Sequence, residues 1–78
     1  MPRYFFDFSD GKRKLVDRNG IELVDLAAVR AEANAALSEL ARELPPDEDR
    51  ATLVARVRDQ AGVVLLMATL SRVVEWVG

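Results

Sequence analysis

Apolar positions along this chain switch between a spacing of two and a spacing near 3.6, and each switch marks an element. Residues 3–9 alternate, with Tyr4, Phe6 and Phe8 on one side and Arg3, Phe5 and Asp7 on the other. That is the pattern of a strand with one face in a core. Asp10-Gly11 follows, a dipeptide suited to the positive φ angles of a tight hairpin. Lys12–Val16 is therefore predicted to return antiparallel, and Lys12, Arg13 and Lys14 mark it as a sheet edge. Asn19-Gly20 is a second turn signal before a short extended piece, Ile21–Leu23.

From Asp25, a suitable N-cap, Leu26, Val29, Ala33, Leu37, Leu40 and Leu44 recur at steps of three and four. Glu32, Ala35, Glu39 and Arg42 fall opposite. This predicts one long amphipathic helix of about twenty residues, some 30 Å, ending at Pro45-Pro46. After a polar linker, Thr52–Arg58 alternates again, with Leu53, Ala55 and Val57 on one face and Val54, Arg56 and Arg58 on the other. Helical spacing also fits Asp47–Arg58, but Asp59-Gln60-Ala61-Gly62 reads as a hairpin loop leading into a strand at Val63–Ala68. A hairpin accounts for both segments. Ser71–Val77 suits either a strand extension or a short helix capped by Ser71, and the helix is the reading taken. The expected order is β-β-α-β-β: an α+β domain over residues 1–78, with a four-stranded antiparallel sheet made of two hairpins and the helix across one face.

A sheet covered on one face should alternate apolar with polar residues, and the last strand does not. If Val64, Leu66, Ala68 and Leu70 face the helix, Val63, Leu65 and Met67 face away, joined by Phe5 and Val54. Contiguous exposed apolar surface marks an interaction site. The candidate partner interface is thus Phe5, Val63, Leu65, Met67 and Trp76, with Arg56 and Arg58 as a basic rim. The competing reading has the tail, through Val73, Val74, Trp76 and Val77, folding back over that face.

Composition narrows the chemistry. The chain has no cysteine and no histidine, which removes disulfides, thiolate zinc sites and imidazole catalysis. Eleven basic residues against thirteen acidic ones give a net charge of −2, without the basic excess of a dedicated nucleic-acid binder. The longest largely apolar stretch, Val63–Leu70, is too short to span a bilayer, and the N-terminus lacks a secretory h-region, so a cytoplasmic protein is expected. A core this small, without staples, commonly relies on a partner chain.

Few residues invite catalysis. Asp7, between Phe6 and Phe8, would serve acid–base work only if desolvation raised its pKa, and the alternation places it facing solvent instead. Asp47-Glu48-Asp49 lacks the glycine and distal glutamate of a calcium loop and reads as a solvated linker. Lys12, Arg13, Lys14, Arg56 and Arg58 near Phe5 would make an RNA-clamping patch, opposed by Asp7, Asp10, Asp17 and Asp59. No catalytic, cofactor-binding or metal-binding residue is assigned, and no cofactor is expected.

Met1-Pro2-Arg3-Tyr4-Phe5-Phe6, the Asp10-Gly11 turn, Gly20-Ile21-Glu22-Leu23, Asp25-Leu26 opening an Ala/Arg/Glu-rich helix, and Val57-Arg58-Asp59 with Gly62 and Leu65-Leu66 resemble a widespread family of small bacterial proteins of unknown function. The resemblance covers roughly residues 1–70 and leaves 71–78 as an apolar tail. It implies the β-β-α-β-β order and brings no activity to carry over. Members often carry histidine at the position of Asp7 and Pro-Phe at that of Thr69-Leu70. The expected function is a non-enzymatic interaction module that forms a homodimer or binds another protein. A loose architectural similarity to HicB-type antitoxin domains supplies the alternative, a small regulator that binds RNA, DNA or a toxin.

Overall fold

Backbone pairing sets the N-terminal strand beside the first strand of the C-terminal hairpin in the middle of one sheet. The computed structural model describes residues Met1–Gly78 and contains β1 (Arg3–Ser9), β2 (Lys14–Leu15), β3 (Ile21–Glu22), α1 (Leu26–Arg42), β4 (Arg50–Arg58) and β5 (Val64–Val73). All pairings are antiparallel. The sheet has five strands in the order β2-β1-β4-β5, and β3 pairs with β1 as well. The α+β class holds, with one strand more than the four expected, because Ile21–Glu22 joins the sheet instead of merely leading into the helix. β2 and β3 share one edge of β1: β2 pairs with Phe8 and Ser9, β3 with Arg3 and Tyr4.

Local chemistry explains where elements stop. The second strand is only Lys14–Leu15, not Lys12–Val16. Asp10 Oδ1 accepts hydrogen bonds from the N–H groups of Lys12 (2.9 Å) and Arg13 (2.7 Å), which holds residues 10–13 in a loop wider than a two-residue turn. Asp25 caps α1 by accepting from Ala28 N–H at 2.8 Å. The helix ends at Arg42, three residues short of the prolines. Glu43 and Leu44 donate to Leu40 and Ala41 in tighter i→i−3 bonds, and Pro45 disfavours helical geometry at Leu44. At the β4–β5 hairpin Asp59 Oδ1 accepts from Ala61 and Val63 N–H, and Gly62 takes φ +86°. The expected helix after Ser71 does not form. β5 continues through Val73, since β4 offers a ladder partner for each of Ser71, Arg72 and Val73 and β-branched residues suit it.

The core lies between α1 and one face of the sheet. It consists of Tyr4, Phe6, Val29, Ala33, Leu37, Leu53, Ala55 and Val57, flanked by Phe8, Leu23, Leu40, Leu44, Leu66 and Ala68. These are the core faces that the alternation and the helical stripe point to, except that Leu26 stays exposed at the start of α1. Arg72 ties the linker down: its guanidinium donates to the carbonyls of Pro45 and Glu48, both at 2.6 Å.

Eight buried residues make a small core for 78. The molecule measures 53 × 23 × 18 Å with a radius of gyration of 14.1 Å. A compact chain of this length has about 11.5 Å. Its accessible surface is 5860 Å², against about 4,700 Å² for a compact monomer of its mass.

Candidate interaction surface

Since Leu53, Ala55 and Val57 point at the helix, period two puts Val54, Arg56 and Arg58 on the opposite, outer face. The cross-strand register extends this face in both directions. Asp7 lies opposite Arg56, which lies opposite Met67; Phe5 lies opposite Arg58, which lies opposite Val64. An irregularity between Val57 and Arg58 sets Leu66 against Val57 and Val64 against Arg58, so Leu65 is the extra residue. Val64 therefore shares its row with Arg58 and not with the core row expected for it.

A polar cluster is built into this face. Arg58 Nε donates to Asp7 Oδ2 at 2.8 Å, and Nη2 donates to Asp7 Oδ1 at 3.3 Å and to the Asp17 carbonyl at 2.8 Å. The guanidinium carbon sits 4.8 Å from the centre of the Phe5 ring, within cation–π range. Asp17 completes the cluster. Its N–H donates to Asp7 Oδ1 at 2.9 Å, and its carboxylate accepts from the N–H groups of Phe6, Asn19 and Gly20 at 3.0–3.1 Å. The cause is topological: between the stretches of β1 taken by β2 and β3, the Phe6 N–H has no strand partner. The Asp17 side chain supplies one, satisfying a donor that would otherwise be left open.

These bonds set the charge states. The hydrogen bond from Arg58 lowers the Asp7 pKa; burial works against it, and the Asp17 N–H and the charges of Arg58 and Arg56 add to the lowering. For Asp17 burial is the largest single effect and raises the pKa, but the N–H groups of Gly20, Phe6 and Asn19 together outweigh it, and the net shift is downward. The bond to Asp7 raises the Arg58 pKa. Asp7 thus faces outward, as the alternation requires, yet it is paired rather than freely solvated, and its pKa moves away from neutrality.

The model of a family described as a domain of unknown function, DUF6894, matches residues 3–71. The chain belongs to the DUF6894 family. The match takes in every element of this DUF6894 domain except the last two residues of β5, and leaves the tail outside. No curated protein and no solved structure matches the chain.

The DUF6894 domain does not gather the expected interface residues into one patch. Phe5 is half-buried beneath Arg58, Met67 is 63% exposed two strands away, and Val63 and Leu65 lie at the hairpin end of β5. Trp76, 95% exposed, projects beyond the opposite end of β5, and Val77 is equally free. The tail therefore does not fold back over the outer face. That face is less apolar than expected, because Thr69 and Ser71 interrupt it. Of the basic rim, Arg58 is engaged by Asp7 and Asp17, while Arg56 is exposed. Lys12, Arg13 and Lys14 do not join them. They line an open groove of about 750 Å³ shared with Leu40, Glu43 and Leu44 at the end of α1. No helix is long and apolar enough to cross a membrane.

Sequence alone marks Gly20 as a turn residue and Asp17 as one acidic charge among several, and it gives no role to Arg72. An Asp-x-Asn-Gly run signals a turn closed by an aspartate side chain, and Asp17–Gly20 has that form; its use as a plug for β1 depends on the pairing of distant strands.

Acid should weaken this domain through Asp7 and Asp17. Both carboxyls have folded-state pKa values below their unfolded ones, so their contribution is complete above the unfolded value, about 4, and is lost as pH falls through the folded values. Urea midpoints are expected to hold steady from pH 7 to 5 and fall below pH 4. Asp7→Asn should start lower at pH 7 and show a shallower fall.

Proposed function

We propose that this domain is a non-enzymatic protein-interaction module that self-associates or binds a protein partner through the outer sheet face, β5 and the C-terminal tail. The observation that carries this reading is surface that the chain alone leaves uncovered. The accessible surface exceeds that of a compact monomer by about 1,100 Å², and Leu65, Met67, Val73 and Trp76 are among its exposed large apolar residues. Covering them stabilises a complex by roughly 25 cal/mol per Å² of apolar area before the costs of association. A protein partner is favoured over nucleic acid because the net charge is −2 and Arg58 is already occupied.

The test is solution mass by light scattering over a dilution series, for the native chain and for Met67→Asp. The native chain is expected to exceed its monomer mass of 8.7 kDa at high concentration. Met67→Asp should give a monomer with unchanged far-UV circular dichroism, because an unpaired carboxylate would be desolvated at the contact. Association of Met67→Asp at native strength would remove the outer face from the mechanism.

A further inference from the structure

The free edge of β5 makes a more specific interface than the face behind it. We infer that β5 pairs antiparallel with β5 of a second copy about a two-fold axis near Thr69, joining two five-stranded sheets into one. This rests on the proposed self-association and names its geometry.

The sheet has one long unpaired edge. β2 and β3 occupy the far side of β1, and the order ends in β5, ten residues with no strand beyond it. Hydrogen-bond alternation shows which groups are free. Val74 N–H donates to the Asp49 carbonyl, and the register continues Arg50↔Val73, Ala51↔Arg72, Thr52↔Ser71. In an antiparallel ladder the backbone groups of alternate residues point to opposite sides. Leu66, Ala68, Leu70 and Arg72 thus direct theirs to β4, and Met67, Thr69, Ser71 and Val73 direct theirs outward. The other side of β4 agrees: Phe6 N–H turns away from β4 to Asp17, so Val57, opposite Phe6, bonds toward Leu66.

Natural edges are usually blunted by lysine, proline, bulges or a covering element. From Leu66 to Val73 this edge has neither lysine nor proline, and the only irregularity lies beyond, at the Val64 end. Its single charge, Arg72, is drawn away to the carbonyls of Pro45 and Glu48.

A second copy fits this edge. Centred on Thr69, the regular parts of the two strands overlap over residues 66–72, most of β5. Thr69 then meets itself, Met67 meets Ser71 of the second copy and Ala68 meets Leu70. Threonine pairs and apolar pairs are favourable cross-strand neighbours, and no like charges are opposed because Arg72 meets Leu66. The axis is perpendicular to the sheet, so both helices lie on one side and the two outer faces run together. The uncovered excess of about 1,100 Å² compares with the ~800 Å² that each partner of a stable complex buries.

The chain has no cysteine, which permits a clean crosslinking test. Thr69→Cys places two thiols in facing positions about 5.5 Å apart between Cα atoms, within disulfide reach. Mild oxidation should convert most of it to a disulfide dimer, in a yield that persists on dilution to the dissociation range. Val54→Cys, one strand inward on the same face, puts its copies about 14 Å apart and should stay uncrosslinked. Ser71→Pro removes one outward N–H, a loss doubled by symmetry, and should weaken association about tenfold or more without unfolding an edge strand. A dimer that crosslinks through Val54→Cys and not Thr69→Cys would mean face-to-face packing, overturning the edge geometry while leaving the proposed self-association intact. A native chain that stays monomeric throughout the dilution series would overturn both.

Discussion

Gly20→Ala is expected to lower the unfolding free energy by about 3 kcal/mol, the sum of a backbone and a contact effect. Gly20 takes φ +72°, where an alanine costs roughly 1–2 kcal/mol. It also passes tightly under the outer face. A Cβ there would lie 2.8 Å from Arg3 Cγ, 2.9 Å from Phe5 Cε2 and 3.0 Å from the Tyr4 carbonyl. The first two are side chains, but the third is the backbone of β1 where it pairs with β3, so relief requires separating those strands. Gly11 provides the control. It has a similar φ of +88° but open space around the missing Cβ, so Gly11→Ala should show the backbone effect alone. Urea denaturation of both variants separates the contributions. Equal losses would mean that the close approach of Gly20 to β1 contributes nothing. For a domain whose total stability is of order 4–12 kcal/mol, a loss of about 3 also leaves little margin.

Arg58→Ala is expected to cost about 2 kcal/mol, and Arg58→Lys nearly as much. The guanidinium makes three hydrogen bonds, to both oxygens of Asp7 and to the Asp17 carbonyl, and stacks on Phe5. The side chains of Arg58 and Asp7 are 28% and 21% exposed, so breaking the pair costs less than the 3–5 kcal/mol of a fully buried one. Lysine retains the charge but not the planar fork that reaches two acceptors and an aromatic ring together. Removing the partner should also raise the Asp7 pKa and move the acid transition toward higher pH. If Arg58→Lys retained native stability, the fork geometry would be irrelevant and the cluster a plain charge pair. The cluster also limits the basic rim: with Arg58 bound to its own sheet, Arg56 is the exposed guanidinium of the two.

The elements most legible in the sequence were those whose determinants are local. Tyr4 and Phe6, then Leu53, Ala55 and Val57, each announced a buried strand face by period two, and Val29, Ala33 and Leu37 announced the helical stripe. Asp25 and Asp59 acted as the cap and turn residues that their types suggest. Misreadings fell where a distant partner or a competing side chain decides. Ser71–Val73 fits helix or strand by composition, and β4 alongside settles it as strand. Lys12 and Arg13 left the second strand because Asp10 bonds their N–H groups first. Val64 changed rows because of an irregularity that alternation does not show.

The candidate surface divides in the same way. The apolar character of β5 is visible in its composition, but its position as the free edge follows from β1 pairing with β4, residues some fifty positions apart in sequence. Asp7, Asp17 and Arg58 meet only because that pairing sets β4 beside β1 while two short strands leave a gap on the other side. The sequence by itself determined the α+β class, the core faces and the absence of thiol and imidazole chemistry, since period, turn residues and composition act over a few neighbours. The tertiary structure alone decided the strand order, the pairing of Asp7 with Arg58 and the exposure of β5 and Trp76, because hydrogen bonds between remote strands choose which edge and which face remain open.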